Sequence, residues 1–175
     1  MNLNLDWSFF SWDLFSNFVL KGLYFSVELT VISTVGGIVL GTVLALMRLS
    51  EVAPYRWLAR GYIEFFRGVP AIIVLLAFGL LPVAFPGLRF PLDPYGTVWA
   101  ALGMVSGAYM AETIRAGIQA VPKGQVEAAR SLGMTGAQVF FSIVFPQALR
   151  YIVPALVAQL VIVVKDTTFG YVVTY

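Results

Sequence analysis

The sequence predicts an all-α integral membrane protein, a multi-span helical bundle with about four spans in this chain. Three observations carry that expectation. Hydrophobic residues fill 59% of the 175 positions and charged residues only 11%, with a mean hydropathy of +0.86, which is more apolar surface than a soluble domain of this size buries. Apolar runs recur near the roughly 20-residue length that crosses a bilayer core. Basic residues gather between alternate runs, the pattern of cytoplasmic loops under the positive-inside rule.

Residues 1–18 are read as a retained external or interfacial segment. Asp6 and Asp13 precede any basic residue, so the positive n-region of a cleaved signal is missing, and Trp7, Phe9, Phe10, Trp12 and Phe15 suit the headgroup boundary. The first span is expected from Val19 to Met47, long enough to tilt or to pass the interface, with Glu28 as its one interior acid. The second is expected from Ile63 to Phe85, around the run Val69 to Leu81, with Pro70 and Gly79 tolerated inside a membrane helix. The third, Tyr95 to Ile118, is rich in small residues that let helices approach closely, among them Gly103, Ser106, Gly107, Ala108 and Ala111. The fourth is a short uncharged run, Tyr151 to Val164, with Arg150, Pro146 and Pro154 interrupting its upstream side.

Arg48, Arg56 and Arg60 lie between spans one and two, and Lys123 and Arg130 between spans three and four. Those loops are expected in the cytoplasm. The loop Pro82 to Pro94 holds only Arg89 beside Asp93, which suits the outer face and puts the N-terminus outside. No low-complexity tract or long hydrophilic linker divides the chain, so residues 1–175 are read as one transmembrane domain.

Cysteine and histidine are absent, which excludes disulfides, thiolate or imidazole metal sites, Cys nucleophiles and His bases. A net charge of +2 supplies no field for nucleic acid. No G-x-x-x-x-G-K-[ST] stretch is present, so this chain is not expected to bind or hydrolyse ATP.

The most informative segment is Val121 to Pro146, within a cytoplasmic loop taken as residues 119–142. It is too polar to span a membrane and reads as a short surface helix. Pro122 and Gly124 break the preceding span, Gln125 to Leu132 are good helix formers, and Gly133 supplies either a flexible stop or a point of close backbone approach. Val126, Ala129 and Gly133, three and four apart, make one narrow apolar face suited to a cleft on another protein.

Glu127-Ala128-Ala129, Gly133 four residues on, and Ile143-Val144-Phe145-Pro146 after nine more resemble the EAA motif of ABC importer permeases; Phe145 stands where Leu is commoner. Further strings resemble the polar amino acid branch of that family: Glu64 to Pro70, Ala108 to Glu112, Gly124 to Ala129, Pro146 to Arg150 and Lys165 to Thr168. The likeness runs from about Gly22 to the end. It implies the fold of an ABC type I importer permease, with a fifth span expected after the Lys165-Asp166-Thr167 segment.

The resemblance also implies a prokaryotic cell membrane and a second permease subunit, identical or paralogous, beside this one. An ATPase dimer that uses ATP and Mg would sit beneath, and an extracytoplasmic amino-acid-binding protein above. Gln125, Glu127, Ala128, Ala129 and Gly133 would form the coupling helix that docks on the ATPase. The substrate would be a polar amino acid or another small polar solute. An ion-coupled carrier or channel would explain the spans but not a coupling motif, and a membrane enzyme would be left with Ser-Lys or carboxylate chemistry.

Individual residues carry two readings each. Glu127 is a docking acid or a surface carboxylate beside Arg130. Glu64 with Arg67, and Glu112 with Arg115, are three apart and either staple their helices or form interhelix gates. Glu28 contacts substrate, snorkels or pairs structurally. Gln159 joins helices or touches substrate. Lys165 and Asp166 contact the delivering protein, close an outer gate or cap a helix end.

Overall fold

The computed structural model describes residues 11–88 and 95–170, and among these every regular element is helical. Helix α1 runs without a break from Trp12 to Leu49, 38 residues, with one π turn at Phe15–Leu20. Trp12 to Phe18 therefore extend the first span as helix instead of forming a separate interfacial segment. Trp7, Phe9, Phe10 and the Arg89 and Asp93 loop lie outside the described residues.

Extended backbone at Ser50 ends α1, and Pro54 opens α2, Ala53–Gly68, where its missing N–H costs nothing. Ala59, Ile63 and Phe66 face the core, whereas Arg56, Arg60 and Glu64 lie outward on the opposite stripe. The basic residues expected in a loop thus ride on a helix. The expected span Ile63 to Phe85 is not one helix. Val69 before Pro70 is extended, α3 starts at Ala71 and runs to Ala84, and the two axes meet at 102°. Pro70 has no donor to continue the ladder and its ring pushes Val69 out of the helical region, so the chain breaks where the hydropathy is continuous.

Helix α4, Gly96–Gln119, occupies the expected third span, and short α5 follows at Lys123–Ser131. The last helix, α6, is continuous from Gly136 to Phe169, far longer than the run Tyr151 to Val164 that hydropathy picks out. Thr135 starts it with a reciprocal cap: its Oγ1 accepts from Gln138 N, and Gln138 Oε1 accepts from Thr135 N at 2.8 Å. Pro146 sits two residues beyond a π turn at Phe140–Val144, where the ladder already shifts, and Pro154 is accommodated within the helix.

By length and composition α1 and α6 can each cross a membrane, and α2 with α3 can form a third crossing. Helix α4 is less apolar than these because its partners are helices: Val98, Ala101, Leu102, Val105, Ala108 and Met110 are buried. It runs parallel to α1, since Gly36 lies beside Trp99, Leu40 beside Gly107 and Gly41 beside Met110. Two parallel spans need a return path between them, which the broken α2–α3 pair provides. Helix α6 is antiparallel to α4, with Ile152 against Gly117 at one end and Gly170 against Val98 at the other.

Between membrane helices lipid is as apolar as the partner, so close packing decides which faces meet. Ser33, Gly37, Gly41 and Ala45, four apart on α1, are all buried, the first three against α4. A Cβ on Gly41 would lie 2.8 Å from Met110 Cβ and 2.9 Å from Ala111 N. Ser106 Oγ donates to Ser33 O at 3.3 Å across this contact, and Tyr62 Oη donates to Met104 O at 3.0 Å between α2 and α4. These bonds tie α1 and α2 to the middle of α4, beside Val105, which borders an open space at the helix break.

Candidate functional site

Helix α5 is held by its own chain on one side and open on the other. Ala129 is 3% exposed and packs with Val121, Val139, Val144, Ala148 and Ile152, and Val126 and Met134 pack on the same cluster. Of the narrow face expected to fit a partner's cleft, Val126 and Ala129 are directed into the protein and Gly133 is exposed, so Ala129 is an internal anchor. Gly133 is the stop: φ is +81°, its N–H donates to Arg130 O at 3.0 Å, and Met134 N–H donates to Ala129 O at 3.2 Å. This paired closure needs the left-handed conformation that glycine adopts at no cost, and no atom lies within 4 Å of a Cβ placed there. Within the chain, backbone conformation is what calls for glycine at this position.

The open side carries Glu127, Ala128, Ser131 and Leu132. Glu127 makes no ion pair with Arg130 among the described residues, so its carboxylate is free for an outside partner. Leu132, 84% exposed, is an apolar knob at the tip that periodicity did not single out. A groove of about 630 Å³ flanks the helix, with Lys123, Glu127 and Arg130 at its rim and Val121, Val126 and Val144 among its apolar lining. Gln125 is exposed on α5, and Gln147 Nε2 donates to its Oε1 at 2.5 Å, joining α5 to α6 at the surface.

The second place is the helix break. A cavity of about 450 Å³ lies between residues 67–72, Val105 and Tyr109 of α4, and Gln159, Ile162, Asp166 and Phe169 of α6. It unites three residues singled out in the sequence: Arg67, Gln159 and Asp166. The Arg67 guanidinium stands 5.5 Å above the centre of the Tyr109 ring, a cation–π contact that aims it. The N-terminus of α3 opens beside it with Pro70 in the capping position and no side-chain cap, leaving the positive end of the helix dipole available.

The expected pair of Glu64 with Arg67 does not form. Glu64 lies 3.9 Å from Arg60, a turn earlier on the exposed face of α2, while Arg67 turns to α4. Glu112 and Arg115 do pair, through two guanidinium nitrogens and both carboxylate oxygens, and Arg115 also reaches Gln119. Arg48 and Arg67 add to the positive field around Glu112, so the ends of α1, α2 and α4 meet electrostatically there. Glu28 lines neither open space and sits exposed on the apolar face of α1; Lys165 is exposed and points away from the cavity that Asp166 enters. The sequence signal for the cavity was Val69-Pro70, read there as tolerable within a helix, whereas nothing local to Tyr109 marks it as the seat of Arg67.

Residues 37–175 match the family described as binding-protein-dependent transport system inner membrane component. Over 162 residues the chain is 40% identical to the glutamate/aspartate import permease protein GltK of Escherichia coli, covering 90% of this chain and 72% of that protein. It is 41% identical over 158 residues to the probable glutamine ABC transporter permease protein GlnM of Bacillus subtilis, covering 89% and 71% respectively. A crystal structure of an amino acid ABC transporter with histidines superposes with a TM-score of 0.78 at 38% identity, covering 87% of this chain and 71% of that one.

Proposed function

The chain belongs to the family of binding-protein-dependent transport system inner membrane components, and from that premise we propose that it is the permease subunit of an ATP-driven importer of polar amino acids. It forms part of the translocation pathway and hydrolyses no ATP itself. The observation that carries the reading is α5: a short helix anchored by Ala129 and Gln125 to the bundle, with Glu127, Ala128 and Leu132 turned outward. Such a helix serves as a lever. A partner that grips the outer side moves α6 through the buried side.

In this reading the outer side of α5 docks on a cytoplasmic ATPase dimer, where ATP and Mg are used, and the N-terminus lies outside. A second permease subunit completes the pathway, and an extracytoplasmic binding protein delivers the amino acid. Apolar residues exposed along α1, including Val27, Val31, Val35 and Val39, face lipid and the second permease. The Glu112–Arg115 pair, within the field of Arg48 and Arg67, acts as a gate toward the α5 end of the bundle. Closure of the ATPase dimer shifts the population between states open to opposite sides.

The test is uptake of a panel of labelled amino acids into proteoliposomes holding the complete complex. Uptake that needs internal ATP and the ATPase subunit is expected. Equal uptake by the permease alone would favour a channel or ion-coupled carrier and contradict this reading.

A further inference from the structure

We propose that α6 is divided by a built-in hinge at Phe140–Pro146, so that its first turn moves with α5 as one body while the rest stays with α4. The inference rests on the importer reading, in which a partner pulls on α5, and adds to it the place where that pull becomes a bend.

The hinge is set in the backbone. Phe145 N–H donates to Phe140 O, five residues back instead of four. The next residue, Pro146, has no N–H. Phe141 O therefore loses both ladder donors: the one four residues on is directed at Phe140, and the one five residues on is the proline nitrogen. Helices bend sharply at π turns and at prolines, and here the two adjoin. Pro154 interrupts the same helix further on, but there one donor is missing from an otherwise regular stretch.

Packing divides the helix at the same place. Ahead of the hinge, Val139 is buried in the cluster that seats Ala129, and the link from α5 is tied down because Met134 N–H donates to Ala129 O at 3.2 Å. The Thr135–Gln138 cap closes this first turn on its own. Beyond the hinge the close partner is α4. A Cβ on Gly117 would run into Ile152 and lie 3.3 Å from Ala148 O, and at the far end Gly170 lies against Val98. Within the hinge Val144 faces the α5 cluster, whereas Phe141 and Phe145 are exposed on the outer side.

Gln147 stands just past the pivot and its amide reaches back across it, to Ile143 O at 3.0 Å and to Gln125 on α5. Bonds that lie close to a pivot change little in length as the arms turn. Gln147 therefore keeps α5 in register with the hinge while the bend changes. A closing ATPase swings α5 together with residues 136–139 about this point and leaves the helix from Ile152 onward against α4.

The measurement is the distance between spin labels, by double electron–electron resonance, on the complete complex in nanodiscs with cysteine-free partner subunits. The chain has no cysteine of its own, so labels sit only at introduced positions. Ala116 on α4 is paired with Ala137 ahead of the hinge in one sample and with Val161 beyond it in another; all three are exposed. Labelled chain is diluted with unlabelled chain so that each complex carries one labelled copy. Between the nucleotide-free complex and the vanadate-trapped complex with loaded binding protein, the Ala116–Ala137 distance is expected to shift by about 3 Å, the arc that a bend of about 20° sweeps roughly six residues from the pivot. The Ala116–Val161 distance is expected to stay constant. Pro146→Ala restores the missing donor, and is expected to keep or raise the melting temperature while lowering transport per ATP hydrolysed at least twofold. Equal shifts in both distances, the mark of a rigid α6, overturn the proposal, and that comparison stands even where the variant fails to fold. Undiminished transport per ATP in a Pro146→Ala complex that melts no lower than wild type overturns it as well. If neither distance changes while loaded binding protein still stimulates ATP hydrolysis, the hinge fails and the importer reading survives; if stimulation is absent too, both fail.

Discussion

Gln147 donates its side-chain amide to Gln125 across 2.5 Å and also to Ile143 O at 3.0 Å, so one residue in the early part of α6 holds both its own helix and α5. The pair is 22 residues apart in sequence and is the polar complement to the apolar seat of Ala129. Motion imposed on α5 therefore reaches α6 through two contacts of different chemistry.

Removing the polar contact alone tests that division. Gln147→Leu is expected to lower stability by about 1 kcal/mol, the net worth of a typical hydrogen bond, and to leave assembly intact. Transport per ATP hydrolysed is expected to fall more than stability does. A double-mutant cycle with Gln125→Ala, read by thermal melting in nanodiscs, should give a coupling near that same magnitude.

At Gly133 the prediction turns on backbone conformation. Gly133→Val forces a β-branched residue to φ +81° and is expected to cost about 1–3 kcal/mol, with Gly133→Asn milder because Asn tolerates the left-handed region. Equal melting temperatures for the two variants would show that open space, and not conformation, matters at this position.

The α1–α4 contact makes an opposite demand. Gly41→Leu drives a side chain into Met110 and the backbone of Ala111 and is expected to cost about 1–3 kcal/mol or prevent assembly. Gly61, on α2 with nothing within 4 Å, serves as the comparison. Gly61→Ala is expected to be neutral or to stabilise by up to about 1 kcal/mol, the helix-propensity difference. Both are read from detergent melting curves.

Tyr109 is expected to act through its ring. Tyr109→Phe keeps the face beneath Arg67, whereas Tyr109→Leu removes a cation–π contact worth about 0.5–2 kcal/mol. The leucine variant is therefore the one expected to melt at a lower temperature in nanodiscs, with the phenylalanine variant close to wild type; equal loss in both would show that the hydroxyl, and not the ring, matters.

Much of this architecture is legible in the residues. Small residues on α4 announce its central place, and the segment from Val121 to Pro146 announces a surface helix with a glycine stop. What escaped belongs to effects that hydropathy does not register. Val69-Pro70 breaks a uniformly apolar run because a proline ring governs its neighbour's backbone. Ser33, Gly37, Gly41 and Ala45 disappear among larger apolar residues, although their spacing of four sets the closest helix contact. Arg67 has acidic Glu64 at helical spacing, yet its ring partner Tyr109 is 42 residues away, and only tertiary structure decides between them. Ala129 was legible as part of an apolar face, but whether that face meets another protein or its own chain depends on where α6 begins.

The central claim, that α5 transmits the work of an ATPase, is tested most directly by ATP hydrolysis in nanodiscs holding the complete complex, with and without loaded binding protein. Glu127→Ala combined with Leu132→Asp alters only the outward side of α5. The account predicts that this variant assembles its membrane bundle and loses stimulation by loaded binding protein at least tenfold. Stimulation at the wild-type level in that variant would contradict it.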